Sequence, residues 1–319
     1  MAFDIQQVFE RILSLEGVDE ELKEDMISAF DIRYENFSNT VRFFPQPFTP
    51  VSVTGTNCDL ECKHCSSHYL KHMVDASSNS LENIAADFSG RGEKGMLLSG
   101  GSRQDGSVPT YEQADMIRSI KERYDLLLSA HTGILNRQQA SELKSYGLDM
   151  ALVDVIGSEK TIKEVYGLER TPVHYDWTLA HLSNFNIRLA PHIIVGLQGG
   201  ELDGEFNALE LVKKYDPEVV VIVVFIPTDG TEYENIPKPD HKDVIRVITY
   251  ARQMFPKTPI SLSCVRPGGK YRSELDEYAL LSGVDRVAVP SRQCYQTAGE
   301  IGLDIVEVEK NCCSYGGVS

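Results

Sequence analysis

A chain of 319 residues, 42% hydrophobic and 24% charged, has a globular composition and enough length to bury a large core, in one α/β barrel or two smaller domains. Its formal net charge of −16 excludes the broad basic face that a nucleic-acid backbone demands, so no nucleic-acid partner is expected. No apolar run approaches the ~20 residues of a membrane-spanning helix, and the opening stretch MAFDIQQVFERILSLEGV mixes charged and apolar residues as an amphipathic helix does. No membrane association and a cytoplasmic location are the expectations.

In chain order, helices are predicted at about 3–15 and 19–32, within an N-terminal helical extension over 1–45. A barrel domain is then predicted over 46–290, built from short β-branched runs alternating with longer helical patterns. The predicted strands are 51–54, 96–99, 126–130, 150–155, 187–196, 219–226, 260–264 and 286–290. Several are continuous apolar runs, VVVIVVFI at 219–226 above all, as expected of parallel strands whose outer face is covered by helices. Eight strands in this rhythm predict a (β/α)8 TIM-type barrel, full or nearly full. Residues 291–319 are predicted as a C-terminal tail, and it carries Cys294, Cys312 and Cys313.

The working face of a parallel barrel is the C-terminal end of its strands. Polar or Gly-rich loops follow six of the strands in turn: SGGS, HTG, DVIGSE, GLQGGE, PTDGTEYE and VRPGGKYR. Singly, a Gly pair after a strand is often a tight turn, and His131 or His192 a satisfied core residue. Six such loops converging on one rim describe an enzyme.

The loop after the first predicted strand, TGTNCDLECKHCSSHYL, is the most specific feature. It places Cys58, Cys62 and Cys65 in a Cys-x3-Cys-x2-Cys array. Zinc is one reading, with His64 or His68 as a fourth ligand, but structural zinc sites pair two ligand clusters across a spacer, and no second Cys-x2-Cys appears. Three thiolates on a short loop also suit three corners of a [4Fe–4S] cluster, leaving one iron open to a substrate.

This array, after the first strand of a barrel, resembles the radical S-adenosylmethionine (SAM) superfamily, with His64 where a bulky or aromatic residue usually precedes the last cysteine. The resemblance spans about 45–290 and implies that SAM binds the open iron and is cleaved to methionine and a 5′-deoxyadenosyl radical, with an electron donor of ferredoxin or flavodoxin type. It further implies SAM contacts from Ser99, Gly100, Gly101 and Ser102 in LLSGGS, although the usual acidic residue is replaced by Ser102. Gly196 in HIIVGLQGGE, Asp154 and Arg170 complete the implied SAM site. FIPTDGTEYENIPKP and CVRPGGKYRSELDEYALLSGVDRVAVP resemble the branch of biotin synthase, lipoyl synthase and the [FeFe]-hydrogenase maturases.

Cys264, Cys294, Cys312 and Cys313 remain. Each alone reads as a buried inert residue, and a terminal pair can also be a surface redox thiol. Together they suit a second, auxiliary Fe–S cluster, which in biotin and lipoyl synthases donates sulfur. No cysteine precedes Cys58, so the N-terminal array of bacterial lipoyl synthases is missing. The resemblance then points to a subunit of the two-protein archaeal-type lipoyl synthase, with a lipoyl carrier protein bearing an octanoyl chain as substrate and a second radical SAM subunit as partner. An acidic carrier would need a local basic patch, for which Lys270, Arg272 and Arg292 are candidates. A maturase, mutase or methylase acting on a small molecule, or a zinc-binding barrel without activity, are the alternatives.

Overall fold

A computed structural model describes residues 3–315. Eleven strands form one sheet: β1 (Thr40–Phe44), β2 (Thr49–Ser52), β3 (Val74–Asp75), β4 (Gly95–Ser99), β5 (Leu127–His131), β6 (Met150–Asp154), β7 (Leu189–Val195), β8 (Val220–Val224), β9 (Ile260–Leu262), β10 (Arg286–Ala288) and β11 (Asp304–Glu307). Every pairing is parallel, in the order β11-β1-β10-β9-β8-β7-β6-β5-β4-β2-β3. The eight expected strands are β2 and β4 to β10, adjacent in chain order.

The expected (β/α)8 barrel, full or nearly full, is met in part, as a curled parallel sheet. The sheet curls but has two edges, β11 and β3, and among the described residues no pairing joins them. The extended stretch 40–52 straddles the seam: β1 pairs with β10 and β11, whereas β2 pairs with β4 and β3. Pro45 and Pro47 divide this stretch, and each withholds the N–H that a further ladder bond would use. The segments expected outside the barrel thus supply β1 and β11 to its sheet.

The helices are α1 (Ile5–Leu13), α2 (Glu20–Phe37), α3 (Leu81–Gly90), α4 (Ala114–Arg123), α5 (Arg137–Ser145), α6 (Glu159–Tyr166), α7 (Pro172–Asn184), α8 (Glu205–Val212), α9 (His241–Met254), α10 (Lys270–Leu281) and α11 (Arg292–Glu300). Among the described residues no helix is long and apolar enough to cross a membrane. Side-chain alternation divides the interior in two. Val220, Ile222 and Val224 of β8 join the core beneath the helices, whereas Val219, Val221 and Val223 face the bore with Phe48, Met150, Leu152 and Ala190. Burial on both faces is why this strand reads as an unbroken apolar run.

Charged side chains tie the layers together at the opposite end from the loops. Asp285, just before β10, lies 3.7 Å from Nε of Arg33 on α2 and also pairs with Arg252 of α9. Both guanidiniums are fully buried and also donate to backbone carbonyls, Arg33 to Ser38 and Arg252 to Gly283.

Candidate functional site

The loop between β2 and β3 carries Cys58, Cys62 and Cys65 over the C-terminal ends of the strands. A tight turn sets its second half: the amides of Cys65 and Ser66 both donate to the Cys62 carbonyl, at 3.1 and 2.9 Å. Ser66 and Ser67 follow in the left-handed region, with φ of 39° and 61°. The loop is pinned from two sides. Lys63 N donates to the Val165 carbonyl of α6 at 2.9 Å, and Tyr233 N, after β8, donates to the Lys63 carbonyl at 3.1 Å.

Its first half is fitted to the Gly-rich loop after β4. Ser102 N–H points at Cys58 Sγ, 3.3 Å away, Asp59 N donates to the Ser102 carbonyl at 2.8 Å, and Gly101 N donates to Thr54 Oγ1 at 2.7 Å. A Cβ on Gly101 would stand 2.0 Å from the Asn57 carbonyl oxygen and 2.6 Å from Cys58 Cβ. Glycine is required there so that the two loops can meet.

Among the described residues, Cys62, His64 and Cys65 bring three ligand atoms within 4.8 Å of one another. The Cys65 thiol is held below the ordinary range, chiefly by its hydrogen bond with Cys62, and the Cys62 thiol is raised by the same bond and by burial. A thiol lowered in this way can ligate a metal or cluster. His64 packs edge-on against Tyr166, ring centroids 5.3 Å apart, and its Nδ1 is buried without a partner.

Around this centre the other expected residues take distinct places. Ser99 to Ser102 line the cysteine loop. Asp154 ends β6 beside the Tyr166 and Tyr175 phenols, which are raised by burial and next by its charge. Arg170 donates to the Glu169 carbonyl at 3.1 Å, and no ion pair joins it to Asp154. Gly196 turns the chain after β7 at φ +76°, with its N–H on Oε1 of buried Glu205 at 2.9 Å. Burial raises the Glu205 carboxyl. Tyr166, against His64, and Glu205, on the Gly196 amide, are neighbours of this centre that sequence reading missed, since nothing in their local pattern separates them from ordinary helix residues. His131 and His192 face the bore from β5 and β7, rings 5.4 Å apart, on either side of β6.

The surplus cysteines divide. Cys264, just past β9, packs against a buried group of Phe44, Ala288, Val308 and Cys313. Cys312 lies in the bore with Leu152, Ala190 and Val221, its Sγ 2.9 Å from Ser314 Oγ. Its thiol is lowered to about 7, chiefly by the hydrogen bond with Cys313, which is raised in turn. Cys294, by contrast, is fully buried on α11 in the core beneath the helices, its thiol raised by that burial. Gly316 and Gly317 of the expected Gly-bearing tail fall outside the described residues. Of the candidate basic patch, Arg272 is committed inward, donating to the carbonyls of Cys264 and Arg266 at 3.0 and 2.8 Å. Lys270 pairs with Glu274 at 3.3 Å, which leaves Arg292.

No family model matches the chain. Curated relatives include biotin synthases from Prochlorococcus marinus, 26% identical over 74% of this chain and 72% of the relative, and from Ehrlichia canis, 28% identical over 74% of each. The biotin synthase of Francisella tularensis is 25% identical over 83% of this chain and 85% of its own length. By sequence the chain is similar to biotin synthases, members of the radical SAM superfamily. Solved structures share the fold. Methylornithine synthase (PylB) superposes with a TM-score of 0.63 at 17% identity, covering 91% of this chain and 83% of its own. HydG, a maturase of the [FeFe]-hydrogenase, gives 0.64 at 15% identity, covering 94% and 75%. For a radical SAM protein the implied cofactors are a [4Fe–4S] cluster and SAM. The donor set fits: three thiols on one loop, with the Ser102 amide aimed at Cys58 Sγ, can hold three corners of a cluster.

Proposed function

We propose that this chain is a radical SAM sulfur-insertion enzyme, lipoyl-synthase-like, acting on an octanoyl chain carried on a lysine of a carrier domain. The supporting observation is the pair of thiol groups in one barrel. Cys58, Cys62 and Cys65 stand at the rim, and Cys264, Cys312 and Cys313 gather inside the same bore. When bound, a [4Fe–4S] cluster supplies the electron that cleaves SAM, and a second cluster supplies sulfide.

The protein's own residues hold and orient. Cys58, Cys62 and Cys65 hold the first cluster, with the Ser102 amide steadying Cys58. The Ser99–Ser102 backbone and Gly196 shape the SAM cradle. Asp154 would hold the ammonium of SAM and Arg170 its carboxylate. Cys264, Cys312 and Cys313 would hold the second cluster, whereas Cys294 lies apart from them in the core beneath the helices. The substrate chain occupies the bore between the two sets, and the electron donor approaches the rim. A second radical SAM subunit would supply the carrier-binding surface that the neutralised basic patch lacks.

A second reading, a maturase, mutase or methylase acting on a polar small molecule, draws support from the bore's His131 and His192. Reconstitution separates the two: about eight irons per chain support sulfur insertion, about four the second reading, and zinc without iron defeats both. Cys312→Ala with Cys313→Ala should remove the extra iron and leave SAM cleavage, whereas Cys62→Ala should abolish cleavage. Mass spectrometry of an octanoylated carrier peptide, after incubation with SAM and reductant, should show sulfur gained. 5′-Deoxyadenosine without that product would sink the sulfur-insertion reading.

A further inference from the structure

We infer that residues 311–315 are a detachable floor, and that the thiols in the bore are reached and loaded through the N-terminal end of the barrel. The segment's last described residue lies at that end. The Tyr315 ring packs edge-on against Phe48, which precedes β2, with centroids 6.0 Å apart, and lies 5.1 Å beneath the Arg188 guanidinium. Arg188 and its partner Glu218 stand just before β7 and β8, at the foot of the strands. From there the chain places Ser314, Cys313 and Cys312 inside, all buried.

What holds the floor is local and narrow. β11 ends at Glu307, so no strand pairing reaches the segment. Among the described residues, its main chain is bonded to the barrel through Arg286, whose Nη1 takes the carbonyls of Cys313, at 3.2 Å, and Tyr315. Besides a contact of the Cys313 thiol with Ser261 of β9, the other bonds found among the described residues are internal: Tyr315 N to the Cys312 carbonyl at 3.0 Å, Cys312 N to Asn311 Oδ1 at 2.8 Å, and Cys312 Sγ with Ser314 Oγ. One bond is missing. The Tyr315 hydroxyl is buried without a partner, a desolvation cost relieved whenever the segment leaves. Few external bonds and an unsatisfied polar group mark a unit that opens below the global unfolding limit.

Opening would matter most for the second cluster proposed above, because it gives the bore a route separate from the rim. The floor itself can be tested without any cluster. In the cluster-free full chain, alkylation by N-ethylmaleimide is followed cysteine by cysteine, each rate divided by that in denaturant. Cys294, fully buried on α11, reports global opening. Cys312 and Cys313 should label at least about tenfold faster than Cys294. Tyr315→Ala should accelerate the pair further, and Tyr315→Phe, which removes the stranded hydroxyl and keeps the ring, should slow it several-fold, both leaving Cys294 unchanged. Labelling of the pair at the Cys294 rate in all three proteins overturns the inference. Iron counts alone decide the second cluster, so the two ideas fail separately.

Discussion

Burial on the inner face of β7 and the neighbouring His131 ring hold the His192 imidazole down at about 4, and its Nδ1 sits 2.9 Å from the Ala190 carbonyl. The unfolded imidazole titrates near 6.5, so below that pH the denatured chain binds a proton that the native chain refuses. Native stability therefore falls between about pH 6.5 and about 4, by up to about 3 kcal/mol, and this contribution is complete above that window. Denaturation at pH 7 and pH 5 should show His192→Gln losing about 2 kcal/mol less on acidification than the parent; an equal loss would mean His192 is not the group responsible. Gly101 makes a different demand. Gly101→Ala forces a Cβ into the Asn57 carbonyl, whereas the nearest neighbour of a Cβ on Gly100 is Thr54 Oγ1 at 3.1 Å. Iron retained on gel filtration should fall sharply in Gly101→Ala and only modestly in Gly100→Ala, with unchanged far-ultraviolet circular dichroism in both.

Among the elements, β10 depends on a buried charge cluster. Asp285→Asn leaves the Arg33 and Arg252 guanidiniums buried without their carboxylate, an expected loss of about 3–5 kcal/mol. The cluster lies at the foot of the strands, where barrels keep stability rather than chemistry, so thermal denaturation should move while iron per folded chain stays constant. The elements also show what a single sequence can convey. Strands buried on both faces announce themselves as apolar runs, and Cys58, Cys62 and Cys65 as a local spacing; both were legible. β1 was not, because TVRFF is short and pairs with residues more than two hundred positions away. The gathering of Cys264, Cys312 and Cys313 depends on the path of the tail, and the inward turn of Arg272 on the loop it braces. Neither leaves a local trace.

For the whole molecule, charge sets the terms of any association. At a net −16, with Lys270 paired and Arg272 turned inward, the surface repels an acidic carrier domain beyond contact range. If such a carrier is the substrate, its affinity for the isolated chain should rise several-fold as salt increases from ~20 to ~200 mM, since screening shortens the Debye length from above 20 Å to below 8 Å. Titration at both ionic strengths checks this, and a fall with salt would reveal an attractive patch elsewhere.

The straddled seam also has a consequence for synthesis. β1 leaves the ribosome early, yet its partner β10 follows roughly 240 residues later, some 10–50 s at ordinary elongation rates. Throughout that interval a segment carrying Val41, Phe43 and Phe44 has both edges unpaired, the condition under which strands pair with the wrong chain. Nascent chains stalled before Arg286 should therefore bind trigger-factor-like holdases through residues 40–44, and release them once β10 and β11 emerge.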